Sequence, residues 1–355
     1  MIEVKVICTN SIASSRKELV NKLFPEGIPK IWCPPLTHYR NDGSIDFERM
    51  SKHLNFILPH INSFLIPGST GDGWELTFDE YKSILEFIFC RYEHRDKLNI
   101  LIGLLRKDYL DARVFYKYSI KFLLERNIFN LDDPDKKSSF KGFVLCPPAG
   151  AGLPQDFIVK SIEGFLIDGY PFVLYQLPQI TENQLKPENI QYFTQQYHNF
   201  YMLKDSSGED RIAKAYGLYP EITLLRGAEG NYYEWFYEKK CYYGFLLSTG
   251  NTFPEEIKRI LLDRINKDDA KTLSDNVTNL INILFEKAKE LPFGNAFTNV
   301  NKILDYFRAF GIEGSPLIGP RTHSGDNIPV EILLDCKNCL NDFETFNAKN
   351  GYVET

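Results

Sequence analysis

Eight short apolar runs, none alternating with period two, constrain this chain more than any other feature: 28–36, 63–67, 98–105, 142–146, 171–175, 200–203, 222–225 and 242–247. A sheet with one wet face alternates apolar and polar residues, so uninterrupted apolar strands imply a sheet covered on both faces, as parallel sheets are. Segments with helical spacing separate the runs. Phe47, Met50, Leu54 and Ile57 share one face after Asp46, and Phe157, Ile158, Ile162, Phe165 and Leu166 share another before Gly169. Behind Pro254, at a first-turn position, Ile257, Ile260, Leu261 and Ile265 form a third stripe. Eight strands alternating with helices over about two hundred residues predict a (β/α)8 TIM barrel. A doubly wound open sheet is the competing architecture, and the lack of G-x-G-x-x-G after the first run counts weakly against it.

Three regions follow from this pattern: an N-terminal extension at 1–27, the barrel at 28–266, and a C-terminal helical region at 267–355. The last carries helical patterns at 270–291, 298–310 and 329–346. The polar stretch 130–139 reads as an exposed insertion before the fourth strand. With 355 residues, 43% of them hydrophobic, the chain can bury one large core. A net charge of -6 and no Lys/Arg cluster argue against nucleic acid or an anionic membrane as partner. No apolar stretch is long enough to span a bilayer, and the early charges at Glu3 and Lys5 do not suit a signal peptide. Seven scattered cysteines fit a reduced, cytoplasmic protein. Cys336 and Cys339 make a lone C-x-x-C inside a helical pattern, and the six histidines show no ligand spacing, so no metal is expected.

Active sites of such barrels lie at the C-terminal ends of the strands, and those ends carry a distinctive set. Gly68-Ser69-Thr70-Gly71 follows the second run: two hydroxyls, two glycines that allow close backbone approach, and amides facing the next helix. Tyr175 closes the fifth run. Lys204 closes the sixth, between Phe200-Tyr201-Met202-Leu203 and the turn Asp205-Ser206-Ser207-Gly208. A solvated lysine just past a strand is the ordinary reading of that position. Desolvation, however, favours the neutral amine, which attacks carbonyls to form a Schiff base. Gly227 and Glu229 follow the seventh run, and Ser248-Thr249-Gly250-Asn251 the eighth. An amine nucleophile, a phenol that moves protons and a hydroxyl-and-amide anion site are the parts needed to bind a 2-oxo acid and form an imine.

On these residues the chain resembles the dihydrodipicolinate synthase and N-acetylneuraminate lyase family of class I, Schiff-base aldolases. The resemblance runs from about 31 to 321 through Pro35-Leu36-Thr37, Asp42-Gly43-Ser44-Ile45-Asp46, Gly68-Ser69-Thr70-Gly71, Pro147-Pro148, Tyr175-Gln176-Leu177-Pro178 and Lys204-Asp205-Ser206-Ser207-Gly208. Gly68-Ser69-Thr70-Gly71 alone would be weak; the order, and the separation of 29 between Tyr175 and Lys204, carry it. It implies that Lys204 forms the imine with pyruvate or a related 2-oxo acid, with no cofactor beyond that imine and no metal. It implies further that Tyr175 moves protons, that Ser69 and Thr70 hold the carboxylate with Gly68 and Gly71 shaping the cradle, and that the protein is a homotetramer or homodimer.

Three departures bear on the branch. The lysine-pathway synthases carry an arginine five residues beyond the tyrosine; Ile180 stands here, as in the lyase branch. Ala149-Gly150-Ala151-Gly152 replaces the aromatic pair that completes the synthases' proton relay. At the seventh strand end, Gly227, Glu229 and Ser248 are candidates for binding a hydroxylated substrate tail, while Arg226 faces either substrate or an ion pair. The favoured expectation is a lysine-dependent lyase or aldolase nearer the N-acetylneuraminate lyase branch. The alternatives are a 4-hydroxy-tetrahydrodipicolinate synthase-type condensation, a 2-oxo-3-deoxy sugar acid dehydratase and, in another class, a non-catalytic barrel kept for binding.

Overall fold

The computed structural model describes residues 2–131, 137–215, 217, 219–263, 265–312, 318–341 and 351–353. Residues 132–136 of the expected insertion and 342–346 of the last helical pattern lie outside them. Eight strands form one sheet: β1 (Ile31–Trp32), β2 (Ser63–Ile66), β3 (Asn99–Gly103), β4 (Phe140–Leu145), β5 (Phe172–Gln176), β6 (Phe200–Asp205), β7 (Thr223–Arg226) and β8 (Gly244–Leu246). Their order is β1-β8-β7-β6-β5-β4-β3-β2, with helices between strands: a (β/α)8 barrel followed by C-terminal helices. Each expected run holds one strand. The differences are at the ends, where β6 continues through Lys204 to Asp205 and β5 through Tyr175 to Gln176.

The chain divides into two compact units. The first comprises 1–30, 93–228 and 241–246. Here β3 to β8 pair in parallel, and the register sets Tyr175 opposite Lys204 and Lys204 opposite Leu225. β4, β5 and β6 are buried along their whole length, which is why their sequences are continuous rather than alternating. Aromatic rings tie the covering helices to the sheet. Tyr116, from the helix Tyr109–Glu125, meets Phe143 of β4 edge-on at 5.0 Å, and Phe165, from the helix Gln155–Leu166, at 5.3 Å. Phe157, placed on the buried stripe by its spacing, is instead 49% exposed.

The N-terminal extension, left without structure by its sequence, is a helix, Ile2–Leu23. Arg16 anchors it. This side chain is 1% exposed and donates to Phe200 O at 2.7 Å, to Tyr197 O at 3.0 Å and to Thr194 O. Two of those carbonyls belong to the end of the helix Pro187–Gln196 and the residue after it, where acceptors lack partners and the macrodipole favours a cation. Lys141 at the start of β4 does the same for the N-terminal helix, donating to Leu23 O at 2.8 Å. Burial pulls its amine down to about 8.

The second unit comprises 31–92, 229–240 and 247–355. Cys33 bridges to Phe64 in parallel beside β1 and β2. Asp46 caps the helix Phe47–Ile57 by accepting from Arg49 N, and its buried Met50, Leu54 and Ile57 match the expected face. The helix Phe78–Glu86 opens with a Thr77/Glu80 capping box. After the helix Pro254–Leu261, the C-terminal region holds the helices Lys267–Ala288, Ala296–Phe310 and Val330–Asn341. Ala296–Phe310 is buried on nearly every side, including Lys302 at 3% exposure. Lys302 Nζ meets Asp72 Oδ2 at 2.9 Å and Thr37 O at 3.2 Å. Replacing Lys302 with Met leaves the Asp72 carboxylate buried without its cation, so Lys302→Met is expected to lower unfolding stability by about 3–5 kcal/mol in a denaturant titration.

Candidate active site

In the first unit, parallel pairing places Lys204 beside Tyr175 and burial keeps both from water, at 4% and 2% exposure. Lys204 Nζ stands 3.9 Å from the centroid of the Tyr175 ring. An ammonium so placed is held by the ring's quadrupole. The strand ladder continues past the lysine on both sides, with Ser206 N donating to Gln176 O at 2.9 Å and Gly227 N to Asp205 O at 2.7 Å. Gly227 is required by packing: a Cβ there would stand 2.0 Å from Ser206 Oγ and 2.5 Å from Lys204 Cε. Cys146, just after β4, is 4% exposed; burial pushes its thiol up, and the charge of Lys204 pulls it part of the way back.

Behind Lys204 lies a buried acidic cluster that sequence reasoning did not single out. Asp205 Oδ1 accepts from Ser207 N at 2.9 Å, while the Tyr242 hydroxyl donates to Asp210 Oδ1 at 2.7 Å and lies 3.4 Å from Asp205 Oδ2. Burial, chiefly, and the Asp210 charge hold the Asp205 carboxyl above its ordinary value. Arg226 closes the cluster, its Nε 3.6 Å from Asp210 Oδ1 and its Nη1 donating to Ala228 O at 2.5 Å. Of the two roles open to Arg226, the geometry matches the ion pair.

In the second unit, Gly68, Ser69, Thr70 and Gly71 form a turn closed by Gly71 N and Gly73 N donating to Gly68 O, at 3.1 and 2.9 Å. The glycines answer to the backbone beneath them. A Cβ on Gly68 would stand 2.4 Å from Pro34 Cβ, and one on Gly71 2.4 Å from Pro35 O. Thr37 Oγ1 donates to Gly71 O at 2.7 Å, and Trp74 Nε1 to Ser69 Oγ at 3.1 Å. The next helix begins only at Phe78, so the turn's amides do not cap it as expected. Asp72 follows in the left-handed region at φ 58°, bonded to Lys302 and to the Tyr39 hydroxyl at 3.0 Å.

Glu229 and Ser248 also come together. Glu229 Oε1 accepts from Ser248 N at 2.8 Å and Ser248 Oγ at 2.5 Å, and Oε2 accepts from Tyr232 Oη at 3.0 Å and from Thr249 Oγ1. These bonds turn the carboxylate toward the loop 248–249, which it holds in place. Its sequence showed a lone acidic residue, and only the fold revealed these donors.

His38, His53 and Asp305 bring three ligand atoms within 4.8 Å of one another. Each already has a partner: His38 Nε2 and His53 Nδ1 share a hydrogen bond at 3.0 Å, His53 Nε2 faces Asn251 O at 3.0 Å, and Asp305 is bonded by Arg49 and Tyr352. A guanidinium on the carboxylate competes directly with a cation, so the cluster reads as a hydrogen-bond network. Burial, chiefly, drives both imidazoles toward the neutral form; Arg49 adds to it at each, while the Asp305 charge pulls partly the other way at His53.

The dihydrodipicolinate synthetase family model matches residues 161–305, a span that contains Tyr175 and Lys204. Over that span the chain is similar to the dihydrodipicolinate synthetase family. It is 25% identical over 175 residues to the 4-hydroxy-tetrahydrodipicolinate synthase of Methanococcus aeolicus, covering 48% of this chain and 54% of the relative. A second relative of that name, from Methanococcus vannielii, is covered over 52% of its length. The chain thus spans about half the length of each of these two curated relatives. Against the Staphylococcus haemolyticus protein of the same name it is 22% identical over 337 residues, 91% of this chain and 97% of the relative. Among solved structures, a variant of Sulfolobus solfataricus 2-keto-3-deoxygluconate aldolase shares the fold at TM-score 0.68 and 18% identity, covering 89% of this chain and 96% of that one. A dihydrodipicolinic acid synthase family prophage protein from E. coli, solved with pyruvate, does so at 0.67 and 16%, over 89% and 98%.

The departures from the pattern sit on a firmly held loop. Asn183 Nδ2 donates to Pro148 O at 2.7 Å and Gly150 O at 3.2 Å, and Ala149 N donates to Lys107 O at 2.9 Å, so the segment 148–150 is fixed without contributing a phenol. Ile180 lies on the one-turn helix Pro178–Thr181 that follows β5.

Two outcomes test these geometries. Gly227→Ala should displace the Lys204 stem and slow its reaction with a carbonyl reagent about 100-fold, as read by peptide mass spectrometry; an unchanged rate would show that the lysine has room to spare. For the imidazole pair, the unfolded chain binds protons near the ordinary histidine value of about 6.5 while the folded chain does not, so stability falls as pH drops below that value. The melting temperature should fall from pH 7 to 5.5, and by less in His53→Gln.

Proposed function

We propose that this protein is a class I, Schiff-base lyase or aldolase acting on pyruvate or a related 2-oxo acid. One observation carries the reading: the Lys204 amine stands 3.9 Å from the Tyr175 ring centroid, and both residues are buried at the ends of neighbouring parallel strands. The amine attacks the 2-oxo carbon, the carbinolamine loses water, and the imine nitrogen takes a proton. That iminium accepts the electron pair of the carbon–carbon bond beta to it, giving an enamine and a released aldehyde; condensation is the reverse. Tyr175 gives and takes the proton that moves with the leaving or arriving oxygen. No metal or organic cofactor enters these steps.

Ile180, where a synthase would place its arginine, and the small-residue loop 149–152 favour a lyase on a hydroxylated 2-oxo acid, in the manner of the N-acetylneuraminate lyase branch. The relatives named 4-hydroxy-tetrahydrodipicolinate synthase support condensation as the second reading. For Ser69 and Thr70 the resemblance supports a carboxylate-holding role. A cytoplasmic homotetramer or homodimer belongs to the same proposal. Among the described residues, no helix is long and apolar enough to cross a membrane.

Incubation with pyruvate and borohydride should add a reduced pyruvyl group that peptide mapping places on Lys204. Lys141, whose amine burial pulls down to about 8, serves as the control. An adduct on Lys141 instead, or none with any of several 2-oxo acids, would overturn the assignment. Tyr175→Phe should still trap pyruvate but turn over about two to four orders of magnitude more slowly.

A further inference from the structure

Asp205 follows Lys204 on β6, and the alternation of a strand sends the two side chains to opposite faces. Asp205 is 1% exposed, which is costly for an ion. The Tyr242 hydroxyl carries one proton, and the shorter distance, 2.7 against 3.4 Å, gives it to Asp210. What remains firmly to Asp205 is its other oxygen, which accepts from Ser207 N at 2.9 Å and closes the turn through Ser206.

Ser206 is held on three sides. Its N donates to Gln176 O at 2.9 Å, its O accepts from Gln179 Nε2 at 3.2 Å, and the next amide is the one that Asp205 holds. Its Oγ is buried with no hydrogen-bond partner among the described residues. Ser206 Oγ and Lys204 Cε lie 2.0 and 2.5 Å from the same point, the place a Cβ on Gly227 would occupy. The hydroxyl therefore walls the lysine stem on the side opened by the glycine.

We propose that Asp205 is a positioning residue for Lys204: its hydrogen bond to the Ser207 amide holds the turn in which Ser206, packed against Gly227, confines the lysine side chain. The acceptor oxygen carries this role and the negative charge does not. An asparagine keeps that acceptor, and its amide hydrogens can reach the Tyr242 oxygen, whereas a leucine of similar bulk offers no acceptor. The catalytic value of the device rests on the Schiff-base reading of Lys204; the confinement itself does not.

The test uses two readouts on the full chain: reductive methylation of Lys204 by formaldehyde and cyanoborohydride, mapped by mass spectrometry, and borohydride trapping of pyruvate. Asp205→Leu should methylate Lys204 about tenfold faster, because the turn opens, and trap pyruvate about tenfold more slowly. Asp205→Asn should stay within about twofold of the parent in both and melt no lower. Should Asp205→Leu fail to fold, Ser206→Ala removes the wall alone and should also speed methylation. Parent-like methylation in Asp205→Leu or, where that variant does not fold, in Ser206→Ala overturns the proposal; so does Asp205→Asn behaving as the leucine variant does. If the parent traps no 2-oxo acid, the Schiff-base reading falls, and the methylation contrast still decides the confinement.

Discussion

The parallel ladder through β5, β6 and β7 is the constraint on which the first unit's chemistry depends. Both neighbours of β6 hydrogen-bond to it beyond Lys204, through Ser206 to Gln176 on one side and Gly227 to Asp205 on the other. With its backbone fixed on two edges, Lys204 retains only side-chain freedom, and the Tyr175 ring and the Gly227 backbone limit that too. Register therefore decides which groups meet. A slip of one residue would reverse the face of every side chain on the strand. The aromatic contacts around Phe143 and Phe165 keep the sheet and its covering helices in that register.

Around this frame the protein buries several charges and gives each a different partner. Arg16 and Lys141 find backbone carbonyls, some at helix C-termini, where fixed dipoles stand in for a counter-ion. Lys302 finds a carboxylate, and Asp205 the Ser207 amide, beside a second acid. Such groups are bound to their partners by the desolvation they would otherwise suffer. Lys204 in turn lies over the face of the Tyr175 ring, whose quadrupole attracts a cation.

Much of the barrel was legible because two-sided burial writes itself as continuous apolar runs. Legibility ended where polar residues enter a strand. Lys204 and Asp205 looked like the residues after β6, since neither is a usual strand former, yet both are paired within it. The N-terminal helix was silent because, over its described side chains 11–23, only Arg16 and Leu23 are buried, so no stripe appears there. Phe157 misled in the opposite direction, an apolar residue at helical spacing that faces out. The glycines at 68 and 71 were correctly marked as special, but the backbone that demands them is Pro34 and Pro35, distant in sequence.

By itself the sequence determined the alternation of strands and helices, the (β/α)8 class, and the identity of the residues at the strand ends, because periodicity and residue chemistry are local properties. Tertiary structure alone decided which of those residues act on one another. It set Lys204 on the face of Tyr175, turned Glu229 onto the loop of Ser248, paired Asp72 with Lys302 across 230 positions, and wedged Ser206 and Lys204 against a glycine. Those pairings depend on strand register and on the approach of chain segments far apart in sequence, and no local pattern records either.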